Sequence, residues 1–176
     1  METDFLQSAI TQFKHYKAIS EKTINLLPED KLFWQINKSS NSIAIIVKHL
    51  SGNMLSRWTD FLTTDGEKEW RNRDQEFEAS IKTKKELLEK WEEGWKCLFD
   101  TLNNLTIEDI KTKTIYIRNE KHSITEAINR QLAHYPYHIG QIIYIGKMVS
   151  EDWNTLTIPK GGSKEHNDEM FSKPKS

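Results

Sequence analysis

With a single cysteine, Cys97, the 176-residue sequence excludes an internal disulfide and any zinc site built from several thiolates. No stretch approaches the roughly 18 consecutive apolar residues that a membrane-spanning helix needs. The first residues, Met1-Glu2-Thr3-Asp4, are acidic where a secretion signal is basic and then apolar, so a cytoplasmic protein is expected. The net charge is −1, with no basic or acidic block, and nothing selects nucleic acid or a membrane surface as partner. No internal repeat is present. What remains is 36% hydrophobic and 29% charged residues, the balance of a helical protein with a well-solvated surface. The length suits one domain, expected over residues 1–160, followed by a polar tail over 161–176.

Helical periodicity organises most of the chain. Phe5, Ala9, Ile10, Phe13, Tyr16, Ile19, Ile24 and Leu27 place a first long helix over residues 3–27, ended before Pro28. Pro28 can open a short helical turn. A second long helix is expected from a cap at Asn41 or Ser42 to about Leu62, with Ile43, Ile46, Val47, Leu50, Met54, Trp58 and Phe61 as its stripe. Residues 63–79 are polar, and the expectation is an ordered connection pinned by Trp70 and Phe77. A third helix is expected from a cap at Ser80 to Leu102. Lys113-Thr114-Ile115-Tyr116-Ile117-Arg118 is β-branched and aromatic, and with Asn119-Glu120-Lys121 after it reads as a small hairpin or an irregular excursion. Ser123-Ile124-Thr125-Glu126 has the capping-box pattern and opens a fourth long helix to about Val149. Pro136, inside that helix, removes one backbone donor and is expected to kink it. The fold class is therefore all-α, a four-helix bundle with a long connection between its second and third helices.

Chemistry concentrates on His134 and His138. Four residues apart on one helix, they sit about 40° apart, one turn above the other, where two imidazoles can reach one metal ion. Spacing alone leaves open a shared metal site or two packed, hydrogen-bonded histidines. His49 lies off the main stripe of the second helix, beside the small residues Gly52, Asn53 and Ser56. His15, His122 and His166 have no partner at ligand spacing. Cys97, on the third helix beside Leu98, reads as an inert packed thiol.

Two segments carry a resemblance. Residues 126–142, with Ala133-His134-Tyr135-Pro136-Tyr137-His138, resemble the last helix of the DinB/YfiT-like superfamily. Ser42-Ile43-Ala44-Ile45-Ile46-Val47-Lys48-His49 resembles its second helix. Residues 57–68 and Arg71-Asn72-Arg73-Asp74 resemble one branch, catalogued as a domain of unknown function. The likeness spans roughly residues 5–160. It implies an up-down-down-up bundle, often a homodimer. It also implies a divalent-metal site of His49, His134 and His138 between the second and fourth helices.

Three neutral imidazoles leave a position open on zinc or nickel, as a catalytic site requires. The resemblance favours a transferase or isomerase that uses a low-molecular-weight thiol as co-substrate, acting on a small electrophile. A metal-dependent hydrolase and a non-enzymatic, stress-associated metal-binding protein are the alternatives. Against hydrolysis, no glutamate follows His134 as one does in zinc proteases, and nothing places Asp60 or Glu126 near the site. Asn53 and Gln141 are candidates to support the ligands, and Arg57 to receive an anionic group of a substrate.

Overall fold

The computed structural model describes residues 2–153 and 155–174. Its long helices are α1 (Glu2–Leu26), α3 (Ile43–Trp58), α5 (Lys84–Asn104) and α7 (Ile124–Val149). Shorter pieces link them: α2 (Glu29–Leu32), α4 (Arg73–Glu76), α6 (Ile107–Thr112) and the antiparallel hairpin β1 (Thr114–Ile117) and β2 (Glu120–Ser123). The chain is all-α apart from that hairpin. α3 lies along α5, α1 lies along α7, and α3 also reaches α7.

Stripes at helical spacing drive this packing because each helix has one apolar face to remove from water. Phe13, Trp58, Trp91, Trp95 and Tyr135 meet at the centre, none more than 1% exposed. Phe13 lies 6.3 Å from Trp95 and 5.8 Å from Tyr135, ring centre to ring centre. Tyr135 is the polar exit from this cluster. Its hydroxyl accepts from Trp58 Nε1 at 3.0 Å and donates to Asn53 Oδ1 at 3.1 Å. A chain of buried hydrogen bonds thereby ties the core to α3 at the level of the histidines.

Helix ends are set by local chemistry, and two depart from expectation. α3 stops at Trp58, short of Leu62, because Thr59 is extended and Asp60 takes a left-handed φ of 49°. Phe61 is nonetheless buried, 4.8 Å from the Trp58 ring, so the apolar pattern outlasts the helix. α5 begins after Thr83 and not at Ser80; the Thr83 hydroxyl accepts from Glu86 N at 3.1 Å, satisfying a donor that would otherwise be orphaned. Within the polar tail, Ser163–Ser172 forms α8, with no buried residue. The final residues 175–176 lie outside the described part. The expected start of α7 holds, and α6 and α7 each open with a complete capping box. α7 runs through Pro136 as one helix of 26 residues.

Residues 59–83 form the long connection, and polar bonds rather than Trp70 hold it. Trp70 is 60% exposed. Asp65 instead accepts from Glu67 N at 2.7 Å, Arg118 N at 2.9 Å and Asn119 N at 2.8 Å. Burial would raise the Asp65 carboxyl, but these backbone donors outweigh it and hold it below the usual range. Arg118 and Asn119 are the two-residue hairpin turn, both at positive φ (54° and 63°), as the favoured hairpin turn type demands. The connection and the hairpin tip are thus docked on each other at one end of α3 and α7.

Candidate metal centre

α3 and α7 bring His49, His134 and His138 together, their ligand atoms all within 4.8 Å of one another. Among the described residues this is the one such group. Each ring spends its Nδ1 on a different acceptor. His49 Nδ1 lies 2.9 Å from Glu76 Oε2, His134 Nδ1 3.2 Å from Gln131 Oε1, and His138 Nδ1 2.9 Å from Gln141 Oε1. An oxygen acceptor fixes the proton on Nδ1 and leaves Nε2 with a bare lone pair.

Those lone pairs converge. His134 Nε2 and His138 Nε2 are 3.1 Å apart. A hydrogen bond between the two rings would need a proton on one Nε2, and a neutral ring would then forfeit its Nδ1–H bond to glutamine. A cation satisfies both lone pairs without that loss. Two nitrogens bound at about 2.0–2.1 Å to a tetrahedral ion stand about 3.3 Å apart, close to the separation seen here. Ring centres confirm a triangle: 4.8 Å between His134 and His138, 4.9 Å from His49 to His138, and 5.5 Å from His49 to His134. The residues present fit a divalent ion.

On α7, burial favours the neutral form of both rings. Burial, then the neighbouring His138 and His49, push His134 down from 6.5 to about 3. Burial also lowers His138, although its bond to Gln141 pulls the other way. Glu76 is 6% exposed. Desolvation would raise its carboxyl, but bonds from His49 and Arg71 and the Arg71 charge outweigh this and hold it below the usual range. Arg71 grips it from the side, Nε to Oε1 at 2.8 Å and Nη2 to Oε2 at 3.0 Å. An ionised carboxylate behind a ligand histidine fixes its tautomer and raises its basicity.

Glu76 and Gln131 were not singled out from sequence. The signal for Glu76 was Gly52: a Cβ there would stand 2.8 Å from Glu76 Cδ, and closer still to Oε1. The small residue on the His49 flank makes room for the carboxylate, not for the imidazole itself. Phe77, expected as an anchor, stacks on His49 with ring centres 4.9 Å apart. Of the supporting candidates, Gln141 holds His138, and Asn53 is buried with its oxygen bonded to Tyr135. Arg57 is also buried, bonded to the Gly66 carbonyl. Neither Asp60 nor Glu126 lines the cavity before the histidines. Cys97 lies away from it, its thiol pushed up by burial.

The cavity measures about 410 Å³, the size of a small-molecule site, and no Asp or Glu lines it. No described helix is long and apolar enough to cross a membrane. A family model described as "Protein of unknown function (DUF1572)" matches residues 1–162. No curated protein matches the chain.

Proposed function

The chain belongs to that family of unknown function, and from its site we propose a divalent-metal-binding, DinB-like enzyme, a thiol-dependent transferase acting on small electrophiles. The observation that carries this reading is the convergence of three imidazoles whose Nδ1 protons are all committed elsewhere. His49, His134 and His138 would hold the ion, and bound zinc or nickel would supply an open Lewis-acid position able to keep a thiol ionised at neutral pH. Glu76, Gln131 and Gln141 orient the three rings. Asn53 and Tyr137 face the same cavity, and Phe77 packs on His49.

Hydrolysis is less well supported. A metal hydrolase needs a base to take a proton from water, and the nearest carboxylate, Glu76, is already locked between His49 and Arg71. Thiolate chemistry needs no such base at this position. The bundle topology belongs to the same reading. α3 and α5 are neighbours joined by the long segment 59–83, which suits parallel helices in an up-down-down-up arrangement.

The test is adduct formation. Metal-loaded protein, given a low-molecular-weight thiol and a panel of electrophiles, should consume both, and the His138→Ala protein should not. Equal turnover in the two proteins, or product formed without thiol, overturns the transferase. Stoichiometric metal with no turnover points to the non-enzymatic metal protein.

A further inference from the structure

The chain contains five arginines, Arg57, Arg71, Arg73, Arg118 and Arg130, and all five line the cavity in front of the histidines. None of the lysines does. The segregation is not a by-product of a basic protein, since the whole chain carries a net charge of −1. From it we infer that the cavity binds a small organic molecule bearing at least two acidic groups, carboxylate or phosphate, clamped by Arg73, Arg118 and Arg130. The inference deepens the proposed transferase by naming the charge of what the site takes. It rests on that reading only for calling this molecule a substrate.

Part of the arginine set has structural work. Arg57 and Arg71 are largely buried, and with Arg118 they share one carboxylate, Glu67, at 3.3, 3.3 and 3.2 Å. Arg71 also holds Glu76. Scaffolding explains those two and leaves the others over. Arg73 and Arg130 are exposed and make no ion pair among the described residues. Arg73 stacks over the Phe77 ring at 5.2 Å, which occupies the face of the guanidinium and leaves its in-plane N–H donors free. Arg118 is 58% exposed at the hairpin tip, with Glu67 on one side only.

Charge bookkeeping points the same way. Five guanidinium groups face the cavity, and two carboxylates, Glu67 and Glu76, stand behind them. Set against those two carboxylates alone, three positive charges remain before any metal is counted, although Asp65 also acts on Arg57. Lysine would serve for solubility. Arginine's rigid fork is what bidentate capture of a carboxylate or phosphate requires, and Arg73, Arg118 and Arg130 reach the cavity from three different segments. A ligand with one acidic group would leave most of that charge unmet.

Calorimetric titration of metal-free protein tests this without depending on the metal. The probes are tricarballylate for carboxylate, inorganic pyrophosphate for phosphate, and the trimethyl ester of tricarballylate as the uncharged control. At least one anion should bind and the ester should not. The Arg73→Ala/Arg130→Ala protein should bind the anion about tenfold more weakly or worse, and Arg130→Lys should fall between. Whichever anion binds names the source of the acidic groups. Equal affinity in wild type and double variant, ester binding as tight as the anion, or no anion binding overturns the proposal. His134→Ala, which removes a metal ligand, should leave anion binding in place. Absence of stoichiometric metal would sink the metal site while leaving this result standing.

Discussion

Replacing Gly52 by alanine loads the support of His49 at a single carboxylate. The new Cβ would stand 2.8 Å from Glu76 Cδ and 3.2 Å from its Cγ, so the side chain must move. A free surface glutamate would swing aside at little cost. Glu76 is 6% exposed and bonded to His49 at 2.9 Å and to Arg71 at 2.8 Å, so moving it breaks charge-assisted bonds in a buried place. Glycine to alanine inside a helix normally gains about 1 kcal/mol. Losing a buried hydrogen bond to a charged group costs about 1.5–3 kcal/mol. The balance is a protein less stable by about 0.5–2 kcal/mol, read by urea denaturation. His49 then loses the acceptor that fixes its tautomer, and zinc affinity should fall about 10- to 100-fold, read by competition with a chromophoric chelator. Glu76→Gln, which removes the charge but keeps the shape, should lower zinc affinity in the same direction without the steric term. An alanine variant that gains the helix-propensity increment and binds zinc like wild type would refute the reasoning.

Acid should destabilise the metal-free protein in a defined window. His134 stays neutral in the folded chain down to about 3, while the unfolded ring takes a proton below its ordinary 6.5. The unfolded state binds more protons between those values, so stability present above 6.5 is lost as pH falls toward 3. Glu76, held below its usual 4.5, adds a second loss as pH falls through and below that value. His134→Gln should flatten the upper part of the profile; a denaturation midpoint as steep as wild type from pH 6.5 downward contradicts the assignment. Chelation should lower the melting temperature of protein purified with its metal, because a ligand bound only by the folded state stabilises it. Elemental analysis should find about one metal per chain in wild type and none in His134→Ala; equal content in both rejects the site.

Element positions were legible where local chemistry decides them. The Ser123–Glu126 capping box, the β-branched arm before it and the stripe that ends at Pro28 each act through neighbours in sequence. Errors came where a longer reach decides. The apolar spacing of Trp58, Phe61 and Leu62 looks helical, yet burial of Phe61 continues after the helix has ended, because Asp60 turns the chain without turning Phe61 away from the core. Thr83 and Glu86 carry the cap-plus-acid spacing three residues apart, whereas Ser80 offers only a residue type that suits a cap. Trp70 suggested an apolar anchor for a connection that is held by Asp65 and a pair of arginines.

The site divides along the same line. Its three imidazoles sit on two helices packed by the core, so their periodicity and flanks were visible in sequence, although nothing in the spacing joined His49 to the other two. The groups that complete it come from elsewhere. Glu76 is 27 residues from His49, inside a polar stretch where one glutamate looks like another, and only the missing Cβ of Gly52 marks its place. Arg71, Arg73 and Arg118 belong to the connection and the hairpin tip, held by backbone bonds to Asp65 and by shared carboxylates. The histidine end therefore depends on the core through α3 and α7, while much of the arginine end depends on surface segments docked against it. A substitution at Arg130 would test what the cavity accepts without touching an imidazole or its acceptor, whereas Arg73 also covers Phe77, the ring stacked on His49.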